Sequence, residues 1–180
     1  DNQNSNEDER SFARISTAIS KYWITKRAPY LVYEALECHG GPGYIEESIM
    51  PRLYREAPLN SIWEGSGNVM CLDVLRALQR DKNALPSLFR ELASAKGSNK
   101  NFDESFSHLK ETLQDPIDLE IEARLLTEKM ACLIQASIFI KSGEEEKVSA
   151  FCNSRLGPRW SGAFGTLPTD TSFEYIMGGL

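Results

Sequence analysis

Residues 37–68 read ECHGGPGYIEESIMPRLYREAPLNSIWEGSGN, from Glu37 to Asn68. Glycines, aromatic rings and a carboxylate crowd together between two stretches of helical pattern, and loops of this kind often bind ligands. Gly40-Gly41-Pro42-Gly43 lets the backbone turn sharply and approach another group closely. At the other end, Ser66 is placed to cap a helix whose apolar face is Cys71, Val74, Leu75 and Leu78. Glu64 stands two residues before that cap, so free backbone N–H groups lie beside it, ready for a phosphate or another anion. The indole of Trp63 next to it would desolvate the carboxylate and make it a better base near neutral pH. The plainer reading of Glu64 is a surface glutamate in a turn.

Working outward, Ser5 and Asp8 resemble a capping box, and Phe12, Ile15, Ile19 and Trp23 recur at helical spacing, which predicts a helix to about Cys38 with a kink at Pro29. A short helical piece is expected around Glu47–Arg55, and a loop at Pro58 and Asn60. Beyond Asp81, Pro86 and Gly97 bracket a short helix and Phe102, Phe106, Leu109 and Leu113 mark the next. Pro116 should open a long helix to Lys141, followed by a capping box at Ser142 and Glu145. From Arg159, the spacing of Gly162, Gly165 and Pro168 predicts a loop. Almost no β alternation occurs. The fold class expected is all-α, an antiparallel helical bundle, with residues 1–84 as the bundle portion and 85–180 as a helical extension packed on it.

The chain has 180 residues, 41% of them hydrophobic, enough to bury a sizeable core. Its net charge of −6 divides as −2 over residues 1–80 and −4 over 81–180. That disfavours nonspecific binding to nucleic acid or anionic membrane, both of which attract basic surfaces. Cys38, Cys71, Cys132 and Cys152 are widely spaced and include no Cys-x-x-Cys pair, so no metal site is expected and the thiols read as free in a reducing compartment. Met130–Ile140 is too short to span a bilayer, and the polar, acidic Asp1–Arg10 is unlike a signal peptide, so the expected location is cytoplasmic. His39 beside the glycine turn, His108, and Arg52 and Arg55 among glutamates read as solvated surface groups.

Taken in order, Gly40-Gly41-x-Gly43-Tyr44, Pro51-Arg52-Leu53-Tyr54-Arg55 and Ile62-Trp63-Glu64-Gly65-Ser66-Gly67-Asn68 resemble the signature of the acyl-CoA dehydrogenase C-terminal helical bundle. The resemblance implies FAD as cofactor and acyl-CoA as substrate. Glu64 then falls on the position of the base that removes the α-proton of the acyl thioester while the β-hydrogen leaves as hydride to the flavin. Gly40 and Gly41 match the pair that brings backbone close to the ADP part of the cofactor, commonly across a subunit interface. Ser66 and Asn68 match cofactor contacts. Glu37 departs from a glutamine common near the cofactor, and a carboxylate there would disfavour an adjacent phosphate.

Trp63-Glu64, Met70 to Arg76 and Phe164-Gly165-Thr166-Leu167-Pro168 look like the alkylation-response branch of that family. By that resemblance Trp63 and Arg76 belong to the substrate pocket, where a larger ring narrows the acyl site and a cation pairs with Glu64. Read without it, Trp63 is a core aromatic and Arg76 a solvated charge near Asp73. Members of the branch are longer, with a further helical domain and a β-domain, so the chain is expected to be part of a longer product or to work with another polypeptide. It is expected to be inactive alone and to form a homo-oligomer, a dimer or tetramer. Two other readings stand beside the dehydrogenase portion: a DNA-associated alkylation-protection protein, with DNA disfavoured by charge, and a helical oligomerisation module.

Overall fold

The computed structural model describes residues 7–114 and 119–178. Among the described residues, nine α-helices and one 3₁₀ turn make up the regular structure, and no strand occurs. The first helix, α1 (Glu7–Cys38), carries Pro29 inside it and three acids in its first turn, where they complement the helix dipole. Ser5, the expected cap, lies outside the described residues. After α1 come α2 (Gly41–Tyr44), α3 (Met50–Glu56) and the 3₁₀ turn (Ala57–Ser61), then α4 (Gly67–Arg80) and α5 (Ala84–Ala93). The remainder comprises α6 (Lys100–Gln114), α7 (Ala123–Ser142), α8 (Glu145–Arg155) and α9 (Phe173–Met177).

One hydrophobic core joins both parts of the chain. Ile15 and Ile19 of α1, Val74 of α4, Leu88 and Leu92 of α5, Phe102 and Phe106 of α6, and Met130 and Leu133 of α7 are all essentially inaccessible and belong to one cluster. Helix α1 is packed by α4, α5 and α7, so it forms the spine against which the later helices close. Interior side chains of this size stabilise by about 1.5–3 kcal/mol each when removed from water, which is why the apolar stripes fix the helix faces.

Three expectations are corrected. Helix α7 begins at Ala123, not at Pro116, which lies outside the described residues; residues 119–122 form turns before it. Ser142 is not a cap: it ends α7, its hydroxyl donates to the Phe139 carbonyl at 2.7 Å, and Gly143 in the left-handed region (φ 74°) terminates the helix. The tail after Arg159 is mainly loop, but α9 forms within it.

Candidate functional site

Helix α1 ends where Gly40 turns the chain at φ 61°. Gly40 and Gly41 are exposed, and an added Cβ at either meets nothing within 4 Å. Gly43 differs: a Cβ there would stand 2.2 Å from the Leu36 carbonyl oxygen, so backbone contact requires glycine at this position. The chain then returns through α3 and the 3₁₀ turn to the loop Ile62–Ser66, bringing Trp63 and Glu64 to the start of α4.

Glu64 has φ 53°, the one non-glycine residue with positive φ among the described residues. Such a conformation costs about 1–2 kcal/mol for an L-residue and marks sites where the surroundings over-determine the backbone. Here the surroundings are Lys21 of α1. Its ammonium donates to the Trp63 carbonyl at 2.7 Å and to the Gly65 carbonyl at 2.8 Å, gripping the loop on both sides of Glu64. Gly65 continues the turn at φ 111°. The Glu64 carboxylate is exposed and makes no hydrogen bond or ion pair among the described residues.

The beginning of α4 is a second feature. Ser66 is its N-cap, in extended conformation, but its hydroxyl makes no capping hydrogen bond. Gly67 is buried, with a Cβ position 2.6 Å from Lys26 Cε and 3.5 Å from Arg124 Nη2. Arg124 of α7 also donates from Nε to the Asn68 side-chain oxygen at 2.6 Å. Two cations thus crowd a helix end that already carries partial positive charge. Lys26 and Arg124 further line a cleft of about 810 Å³ together with Tyr30, Tyr33, Tyr54 and Phe164.

Trp63 is 55% exposed, so neither a core role nor desolvation of Glu64 is realised within this chain. Arg76 is exposed on α4, nine residues beyond Gly67 and so about 13 Å along the helix. No ion pair joins it to Glu64 among the described residues, and Asp73 pairs instead with Arg14 at 2.7 Å. Glu37 is exposed and accepts from the Tyr33 hydroxyl at 3.2 Å; its charge raises the Tyr33 pKa. Arg52 and Arg55 pair with Glu56 and Glu46, and His39 and His108 are exposed, as their sequence context suggests. No group of acids, histidines and cysteines among the described residues could hold a metal.

Lys21, Lys26 and Arg124 were not legible as site residues. Lys21 contacts residues 42 and 44 positions away, and Arg124 a residue 56 away, with no local pattern to announce either.

Residues 3–79 match the family model of the acyl-CoA dehydrogenase C-terminal domain. The chain carries the C-terminal domain of an acyl-CoA dehydrogenase-like protein. Among its relatives, the acyl-CoA dehydrogenase-type protein AidB of Escherichia coli (strain K12) is 40% identical over 84% of this chain and 28% of its own length. Acyl-CoA dehydrogenase family member 11 of Caenorhabditis elegans is 34% identical over 63% of this chain and 18% of its own. The crystal structure of Caenorhabditis elegans ACDH-11 in complex with C11-CoA superposes with a TM-score of 0.76 at 25% identity, over 84% of this chain and 30% of that one. The chain therefore spans less than a third of the length of each of these proteins. Members of the family are FAD-dependent flavoproteins, and the all-helical architecture agrees with this domain. No described helix of the domain is long and apolar enough to cross a membrane.

Proposed function

We propose that this domain supplies the base and part of the cofactor cradle of an FAD-dependent acyl-CoA dehydrogenase, with Glu64 as the base. The observation that carries the reading is the strained, Lys21-clamped turn at the head of α4 that presents a Glu64 carboxylate with no partner among the described residues. A general base must reach the proton it removes, and a side chain held by its backbone on both sides pays less entropy to do so. Tertiary clamping of a costly φ is hard to account for in a plain surface turn.

The residues fit a phosphate-bearing cofactor. Gly40 and Gly41 leave open space where side chains would stand, and the uncapped N–H groups at Ser66–Asn68, with Lys26 and Arg124 alongside, favour an anion. When bound, the flavin supplies the acceptor for the hydride that leaves the β-carbon. The domain's own residues do the rest: a Glu64 carboxylate oxygen takes the α-proton, Lys21 holds the backbone on either side of Glu64, and the start of α4 holds phosphate. Trp63 would narrow the acyl pocket once other parts of the protein cover it. In this reading residues 1–84 hold the site and 85–180 brace it through the shared core and Arg124.

Exposed Ile24, Leu31, Ile62, Trp63 and Val69 support self-association or burial by other domains, since large apolar patches are seldom left bare. Sedimentation of the chain at micromolar concentration should show a dimer or tetramer; a strictly monomeric species counts against self-association. Duplex DNA binding has no such support, and the net charge of −6 opposes it.

The test of the main reading uses the complete protein. Glu64→Gln keeps the shape and polar contacts but removes the base, so flavin content should survive while acyl-CoA-dependent flavin bleaching disappears. Equal bleaching in wild type and variant would remove Glu64 from the mechanism.

A further inference from the structure

Phe164, which lines the large cleft, also lines a second cavity of about 390 Å³, together with Arg27, Arg155, Gln135, Trp23 and Phe151. Most of its wall is apolar, yet two guanidinium groups share it. Arg27 lies against three rings, 4.1 Å from the Phe164 centroid, 5.4 Å from Trp160 and 5.5 Å from Trp23. Its Nη1 donates to the Gly162 carbonyl at 2.7 Å, while Nη2 is buried with no hydrogen-bond partner among the described residues. Arg155 lies over one of the same rings, 4.5 Å from the Trp160 centroid, and its hydrogen bond to a protein acceptor is a long one, 3.5 Å to the Ser154 carbonyl.

Neither arginine forms an ion pair among the described residues. The nearby carboxylate, Glu128, is engaged by the Trp160 indole N–H at 2.6 Å. Burial and the charge of Arg27 both weaken the hold of Arg155 on its proton. Two half-buried cations that repel each other beside an apolar hollow are stable only because the rings offset part of the cost; an anion would offset the rest.

We propose that this cavity binds a carboxylate carried on an apolar body, such as a medium-chain monocarboxylate. The carboxylate would accept from Arg155 in the field of Arg27, with the Gln135 amide as a further donor, and the apolar body would lie along Phe151, Phe164 and Ile24. Arg155 presents a planar fork suited to a carboxylate, and the stacked Trp160 fixes its plane. The proposal does not depend on the role of Glu64: none of Glu64, Ser66 and Asn68 lines this cavity.

The experiment is a titration of the nitrogen-labelled chain with sodium octanoate, followed by NMR, with octan-1-ol and acetate as controls. Saturable shifts of the Gln135 side-chain amide and of the Trp23 and Trp160 indole N–H signals are expected for octanoate. Octan-1-ol and acetate should bind at least about tenfold more weakly, since each lacks one half of the recognition. Arg155→Gln should weaken octanoate by about tenfold, and Arg155→Lys by less. Octan-1-ol binding as tightly as octanoate, shifts confined to other surfaces, or unchanged affinity in Arg155→Gln would each overturn the proposal. The comparison of the three ligands on the wild-type chain decides the matter even if the variant does not fold.

Discussion

The Lys21 ammonium donates to the Trp63 carbonyl oxygen at 2.7 Å and, from the same nitrogen, to the Gly65 carbonyl at 2.8 Å. One side chain of the longest helix therefore sets the backbone of the loop that carries Glu64. Lys21→Met keeps the aliphatic stem and deletes both charge-assisted bonds. The expected cost is about 1–3 kcal/mol in chemical denaturation, with amide exchange at residues 63–67 accelerated more than in the core. Unchanged protection of that loop would show that the clamp does not order it.

Glu64 occupies φ 53°, a region glycine enters without penalty. Glu64→Gly is expected to raise stability by up to about 1 kcal/mol, read as a higher melting temperature, even though it removes the proposed base. A marked loss of stability would mean that the Glu64 side chain holds the loop, contrary to its lack of partners here.

The two glycines of the turn after α1 should respond differently to alanine. Gly40→Ala meets strain from φ 61° but open space, so a loss of about 1 kcal/mol is expected. Gly43→Ala forces a methyl to 2.2 Å from the Leu36 carbonyl oxygen, and relief requires the end of α1 to shift, costing about 1–3 kcal/mol or more. Equal urea midpoints for the two variants would refute the distinction.

Burial pushes the Cys132 thiol up to about 12 and the Cys152 thiol up to about 11, from an ordinary value of 9.0. Both groups fold as neutral thiols. Their folded-state values lie above the unfolded one, so their contribution to stability is complete below pH about 9 and is lost as pH rises towards 11–12. Urea midpoints should fall as pH rises from about 9 towards about 11, and Cys132→Ala with Cys152→Ala should flatten that fall. At pH near 7, iodoacetamide should modify exposed Cys38 ahead of the three buried thiols.

Much of the fold was legible because helix faces obey a short period. Phe102, Phe106 and Leu109 recur at three- and four-residue spacing and are all buried, as are Ile15 and Ile19. Boundaries were less legible where two signals competed: Ser142 looks like a cap, but Gly143 offers a left-handed terminus one residue later, and the serine stays inside α7. The candidate site was legible where glycine, tryptophan and glutamate are adjacent in sequence. It was illegible where long-range packing supplies the chemistry, as with Lys26 and Arg124 converging on Gly67.

By itself, the sequence determined the helical class, the glycine turn after Cys38, and Ser66 as the residue before α4, since each rests on interactions spanning a few residues. Only the tertiary structure decided that Lys21 reaches across to hold Glu64, that Arg124 binds Asn68, and that Arg27 and Arg155 meet around Trp160. Those pairs are brought together by burial of one shared core, and a chain read residue by residue carries no record of which polar groups that collapse will leave facing one another.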